Sequence, residues 1–267
     1  MQNSVILPQW LDNLIFEQLE AKYCRSNADM TVIDWDKNDV LNYLGTYFPR
    51  SYAESYCIFS ELFRLHPNVF EGKTEISIFD FGCGTGGEII GLLAAISKNI
   101  PSICKVNISA LDGNFHSLRM FEKVLNTYKR ICGMEIKLRL IPIVIEDFYD
   151  LSVLDTIIPC GLDIFLSFKA ICEFVTKERF EQQNAYTHII KTFFPKLDEY
   201  GLMVLADLTS HNKISQEWLP RMMDAGYSQT DCQLLMKNNG YNQTFTVTHK
   251  RKTNDISKIA WRIIQKL

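Results

Sequence analysis

Gly82, Gly84, Gly86 and Gly87 stand close together, just after an acid at Asp80. Glycine tolerates positive φ and leaves the main chain bare, so such a run lets a ligand approach the backbone closely. The apolar stretch Ile76 to Phe81 ahead of it reads as a short buried strand. Glu88 to about Lys98 reads as a helix whose free N–H groups point back into the turn. Gly82, Gly84 and Gly87 fit the G-x-G-x-x-G spacing of dinucleotide sites. Asp80 weighs against that fit, because an acid beside a pyrophosphate is unfavourable whereas a cationic ligand group is welcome there. More chemistry-bearing residues fall at the ends of later apolar runs. Asp112-Gly113 closes a second run and Glu146-Asp147-Phe148 a third. Ser167 ends a fourth, with Lys169 and Glu173 beyond it, and His211 follows a fifth.

The turn Asp80-x-Gly82-Cys83-Gly84-x-Gly86 resembles the first motif of the class I S-adenosylmethionine-dependent methyltransferases. The phrase Phe193 to Gly201, followed by an apolar strand, is similar to the core of the same family. That resemblance implies S-adenosylmethionine as cofactor. Asp80 and the backbone of Gly82, Cys83, Gly84 and Gly86 would meet its amino-acid end, and Asp112 with Gly113 its ribose hydroxyls. Asp147 with Glu146 would take the adenine amino group, Phe148 would pack on the ring, and Ser167 would sit at the fourth strand's end. It also implies methyl transfer by in-line displacement, where the leaving group is already activated and the protein positions and desolvates. Only some nucleophiles then need a general base, and Lys169, Glu173 and His211 are the candidates. An N-P-P-Y type motif is missing at the fourth strand's end, and Cys172 lacks a Pro-Cys context, which disfavours amide or adenine N-methylation and a cysteine nucleophile. An NAD-dependent oxidoreductase is the less favoured alternative: an acid at Asp112 suits it, but Asp80 and the roughly 75 residues ahead of the turn do not.

Positioning these residues calls for alternating strands and helices. Runs at 76–81, 105–111, 138–145, 162–168 and 202–206 read as strands, with amphipathic stretches between them. The expected architecture is α/β and Rossmann-like, with a mostly parallel seven-stranded sheet, helices on both faces and a helical N-terminal region. Residues 1–72 would form a helical cap and 73–267 the cofactor-binding core. Within the cap, Leu11, Leu14, Ile15 and Leu19 recur at helical spacing, and Val40 to Tyr47 do so before Pro49. Ser51 and Glu54 suggest a capping box opening a third helix, which His66-Pro67 ends. The aromatic segment around it reads either as helical packing or as a lid. As a lid, Arg50 would meet a ligand carboxylate, and Tyr52 and Tyr56 would face a sulfonium, a cation–π gain of roughly 0.5–2 kcal/mol. Tyr47 to Ala53, with the glycine turn, also resembles a methyltransferase-like family linked to mitochondrial small ribosomal subunit assembly. That family's cysteine cluster is absent. Near the end of the chain Gln243 to His249 alternates like a strand, whereas Ile256 to Leu267 fits either a helix or a strand over 258–265.

The whole chain narrows the partners. Of 267 residues, 28 are basic and 31 acidic, a net charge of −3 that leaves no overall electrostatic footprint for nucleic acid. The basic run His249 to Lys252 reads as a solvated hairpin end or a local phosphate contact. Eight cysteines without a C-x-x-C pair suggest reduced thiols rather than a zinc site or disulfide framework. Asp29, Asp34, Asp36 and Asp39 read as a solvated connection, so no metal is expected. With no signal-peptide pattern and only short apolar runs, the expectation is a soluble cytoplasmic protein without a membrane partner. The acceptor would be RNA, slightly favoured, or a small molecule. A non-catalytic cofactor-binding module in assembly is a further alternative.

Overall fold

The computed structural model describes residues 2–24, 35–175, 183–212, 214 and 216–267. In chain order the elements are β1 (Ser4–Ile6), then α1 (Gln9–Asn13), which runs on as a π-helical turn over Leu14–Gln18. Next come α2 (Lys37–Thr46), α3 (Phe48–Leu65), β2 (Glu75–Phe81), α4 (Gly87–Asn99) and β3 (Lys105–Asp112). They are followed by α5 (Phe115–Cys132), β4 (Glu135–Pro142), α6 (Ser152–Ile157), β5 (Leu162–Phe168) and α7 (Ile171–Val175). The chain continues with α8 (Ala185–Phe193), β6 (Leu197–Asp207), α9 (Leu219–Tyr227), β7 (Gln233–Lys237), β8 (Gln243–His249) and β9 (Lys252–Gln265).

The central strand order is β4-β3-β2-β5-β6-β9, with β7 on the far side of β9. The first five run parallel, while β9 is antiparallel to both β6 and β7. Chain order reverses between β2 and β5, which is the switch point where open α/β sheets bind ligands. Instead of seven strands, the described residues form nine, because β9 is long. Its second half lies in the central sheet, and its first half continues past the carboxyl edge to pair with β8. β1 then adds to β8 in parallel, so a strand occurs inside the region expected to be all helical.

Strand alternation divides the side chains between two apolar layers. Ile76, Ile78, Val106, Ile108, Ile164 and Leu166 face the layer of α3, α4 and α5. Phe79, Phe81, Leu111, Phe165, Met203 and Leu205 face the layer of α8 and α9. The second layer holds an aromatic cluster, with Phe165 and Phe193 at 5.1 Å and Phe79 and Phe193 at 5.3 Å between ring centroids. Each such pair contributes about 0.5–1.5 kcal/mol beyond its burial.

Several local expectations shift. β4 ends at Pro142 rather than running to residue 145, because proline has no N–H to continue the ladder. Ser51 does not open a helix. α3 already starts at Phe48 with Pro49 in its first turn, and the Ser51 N–H donates to Tyr47 O at 3.0 Å. Phe115 heads an amphipathic helix by spacing but is 58% exposed. The last segment is a strand, since its β-branched residues pair on both edges and are buried on both faces from Ile259 to Ile264. Asp36 and Asp39 form a capping box on α2, while Asp29 and Asp34 lie outside the described residues.

Candidate active site

The glycine turn follows β2 at the switch point. Gly82, Gly84 and Gly86 have φ of +75°, +48° and +78°, the left-handed region that side chains resist. The N–H groups of Gly82 and Cys83 both donate to Leu111 O at 2.9 Å, tying the turn to the end of β3. Gly87 has another task. A Cβ there would lie 2.7 Å from Phe48 O, and one at Gly91 would lie 2.5 Å from Tyr52 O. These two glycines let the backbones of α3 and α4 approach, with Ser55 Oγ donating to Glu88 O at 2.7 Å. Helix packing therefore accounts for the third glycine of the dinucleotide spacing.

Asp80 shares its face of β2 with Ile76 and Ile78, so it points toward α3 and α4. It is fully buried, and among the described residues neither carboxylate oxygen receives a hydrogen bond from an amide, a hydroxyl or a basic side chain. The group facing it is the buried carboxyl of Glu88, in the first turn of α4. Burial raises Asp80 well above the usual range, and the charges of Glu88 and Asp112 add to that. Burial also lifts Glu88 to about 8, against the pull of its own N–H and of Lys169. Two facing acids in an apolar setting hold a proton between them. Glu54 of α3 is a third buried acid here. Its Oε2 accepts from Lys169 Nζ at 2.7 Å, and its Oε1 has no partner among the described residues.

Asp112 lies on the same face as Asp80. Its Oδ2 accepts from Gly84 N–H at 2.7 Å and its Oδ1 from Asn114 N–H at 2.8 Å. Burial raises it to about 6, with those two bonds opposing. A carboxylate has about four lone-pair sites, so Asp112 can brace the turn and still accept ligand hydroxyls. Next to it, the vacant side of Gly113 looks onto Val144 at 3.5 Å. Tyr43 of α2 covers the turn, with its hydroxyl 3.2 Å from where a Gly84 Cβ would stand. Tyr43 stacks on Tyr47 at 5.0 Å and meets Trp35 at a tilt at the same distance.

Other sequence candidates lie elsewhere. Arg50 makes a buried bidentate ion pair with Asp255, at 2.8 and 2.7 Å. Tyr52 stacks on Tyr56 at 5.9 Å, and the Tyr56 hydroxyl receives Lys98 Nζ at 3.1 Å, along the α3–α4 contact. Phe148 is fully buried against Phe174 at 4.6 Å, in the aromatic layer. Glu146 is exposed, and Asp147 is also exposed, bonding the Tyr149 N–H at 2.9 Å. Ser167 alternates toward the α8 layer, with its buried hydroxyl unpartnered, and Cys83 is a buried thiol pushed well up by burial. Glu173 is exposed in α7 and its charge faces Tyr43. His211 lies in the loop after β6, its Nε2 2.6 Å from Gln216 O and its ring 4.8 Å from Trp218.

Sequence reasoning missed Glu54, Glu88 and Tyr43. An acid in a helix's first turn is ordinarily a dipole complement, and Tyr43 sits on an ordinary apolar stripe. Asp207 ends β6 fully buried, its Oδ2 accepting from Tyr186 at 3.0 Å. Burial raises it to about 7, opposed by bonds from Cys172 and Tyr186.

No known protein family and no curated protein matches the chain. Among solved structures it is similar to precorrin-6y C5,15-methyltransferase from Geobacter metallireducens, at 14% identity and a TM-score of 0.48, over 80% of this chain and 89% of that one. A SAM-dependent methyltransferase from Aquifex aeolicus matches at 8% identity and 0.48, over 86% and 99%. TrmN from Thermus thermophilus matches at 14% and 0.44, over 84% of this chain and 53% of that one. Identities this low leave the activity to be argued from the site itself.

Proposed function

We propose that the chain binds S-adenosylmethionine at the glycine turn and transfers its methyl group to an acceptor nucleophile. The observation that carries this reading is the buried pair of Asp80 and Glu88, with no basic group among the described residues bonded to Asp80. Two carboxyls buried side by side are costly to ionise, so the pair calls for a cation. A pyrophosphate would face three buried acids, which disfavours a dinucleotide.

The residues present fit the cofactor. The Asp80–Glu88 pair would receive its ammonium in exchange for the shared proton. Asp112 would receive the ribose hydroxyls, and the glycine backbone would allow close approach. Val144, 42% exposed beside Gly113, supports an apolar wall for adenine in place of Phe148. When bound, the cofactor supplies an electrophilic methyl group on a sulfonium. The protein's part is to hold it under Tyr43 and exclude water. Residues 1–72 then act as a cap on a core over 73–267.

RNA is the acceptor we favour. The loops after β6 and β7 leave the same edge of the sheet and carry Leu208, Trp218 and Tyr241, each more than 40% exposed. Trp218 and Tyr241 meet edge to face at 5.7 Å. Exposed rings of this kind suit the stacking of unpaired bases. No helix among the described residues is long and apolar enough to cross a membrane.

Calorimetry with S-adenosylmethionine, S-adenosylhomocysteine and NADH tests the cofactor. Asp80→Asn and Asp112→Asn should each weaken S-adenosylmethionine binding about tenfold or more, and unchanged affinity in both would sink the assignment. Tritium transfer from labelled cofactor into RNA, protein and small-molecule fractions of an extract identifies the acceptor. Label confined to small molecules would overturn the RNA reading.

A further inference from the structure

The amino-acid end of the proposed ligand carries a carboxylate as well as an ammonium, and the acids of the turn answer only the ammonium. Asp80, Glu88 and Glu54 are all buried. A carboxylate brought among them without a cation would be repelled. Arg50, the residue whose type and place in the sequence suggested that cation, is committed to Asp255 through two nitrogens. The cation that faces the acids is Lys169.

Three observations put Lys169 at the ligand's side. Its neighbour Ala170 packs directly against Gly82, so this step of the chain touches the glycine turn. Its ammonium donates to Glu54 Oε2 at 2.7 Å with a side chain 13% exposed. An ammonium has three donors, and that bond uses one. Its φ of +59° lies in the left-handed region, which a residue with a side chain occupies only where its surroundings dictate it. The bond from Lys169 N–H to Ala206 O, at 2.7 Å, holds it there.

We propose that Lys169 is the anion anchor of this site, receiving the ligand's α-carboxylate while Asp80 and Glu88 receive its ammonium. Glu54 holds the lysine's ammonium in place. The site thereby selects ligands whose amino-acid end is intact, and Lys169 is a binding residue rather than the general base its position in the sequence suggested. The inference rests on the S-adenosylmethionine reading.

The test compares S-adenosylmethionine with decarboxylated S-adenosylmethionine, which keeps the ammonium and sulfonium and lacks the carboxylate. In calorimetry the unmodified protein should bind the intact ligand about tenfold or more tightly than the decarboxylated one. Lys169→Met should abolish that preference, and Lys169→Arg should keep part of it. Because Lys169→Met strands the Glu54 carboxylate, Glu54→Gln/Lys169→Met is measured alongside, with a thermal melt of each. Equal losses for both ligands, or no loss for either, would overturn the anchor. If the unmodified protein binds neither ligand, the cofactor reading itself fails. If it binds both and Lys169 makes no difference between them, only the anchor fails.

Discussion

Glu88 holds a proton in the folded chain that the unfolded chain releases. Its carboxyl moves from 4.5 to about 8 through burial, opposed by its own N–H and by Lys169. A group whose folded value is raised stabilises fully below its unfolded value, and that stability is lost as pH rises through the folded value. The ligand-free protein should therefore lose stability between about pH 5 and 8, read as a falling urea midpoint. Glu88→Gln should flatten that slope. Added S-adenosylmethionine should flatten it too, by placing an ammonium where the proton was. A midpoint that climbs over the same range in the ligand-free protein would show that the pair is not protonated. The acids of the turn were legible in the sequence one at a time. Asp80 and Asp112 stood out at strand ends, but that Glu54 of α3 comes to face Glu88, which itself faces Asp80, depends on how α3 lies on α4, which no local spacing states.

At the scale of elements, the α3–α4 contact sets the site. Gly87 and Gly91 stand one turn apart on α4, facing Ser51 and Ser55 one turn apart on α3. Gly91→Ala would add up to about 1 kcal/mol of intrinsic helix preference. Its Cβ would meet the Tyr52 carbonyl at 2.5 Å, and helix backbone cannot yield as a side-chain tip can. Overpacking costs about 1–3 kcal/mol, so the net expectation is a loss of about 1–2 kcal/mol in urea unfolding. A gain would show that the helices part freely. Short strands, whether buried throughout or alternating, were the easiest elements to read. Leu162 to Phe168 and Gln243 to His249 are bounded as their patterns predict, because burial and turn residues mark both ends. The last strand was ambiguous since its apolar run satisfies both periods, and only its three pairing partners decide. Phe148, beside the exposed acids Glu146 and Asp147, turns into a core position where Phe81 and Phe174 enclose it.

Across the whole molecule, Arg50 fastens α3 to the hairpin of β8 and β9. Burial alone would raise Asp255, but the imidazole of His249 nearby and the hydrogen bonds from Arg50 outweigh it and hold the carboxyl well below its usual range. Tyr23 adds a bond to the same carboxylate at 3.1 Å. Removing one member of such a buried pair costs about 3–5 kcal/mol, because the other charge is left stranded. Asp255→Leu should cost that much, and Arg50→Met/Asp255→Leu distinctly less, in a urea-unfolding double-mutant cycle. Additive losses would mean that the two side chains act independently.

The parallel pairing of Ser4 with Thr246 has a bearing on how the protein is made. About 240 residues separate the partners, and at 5–20 residues per second the early strand waits roughly 10–50 s for its mate to leave the ribosome. The central strands and the glycine turn between them are synthesised in that interval. During vectorial synthesis the glycine turn and the strands around it can thus take shape before β1 finds its partner in β8.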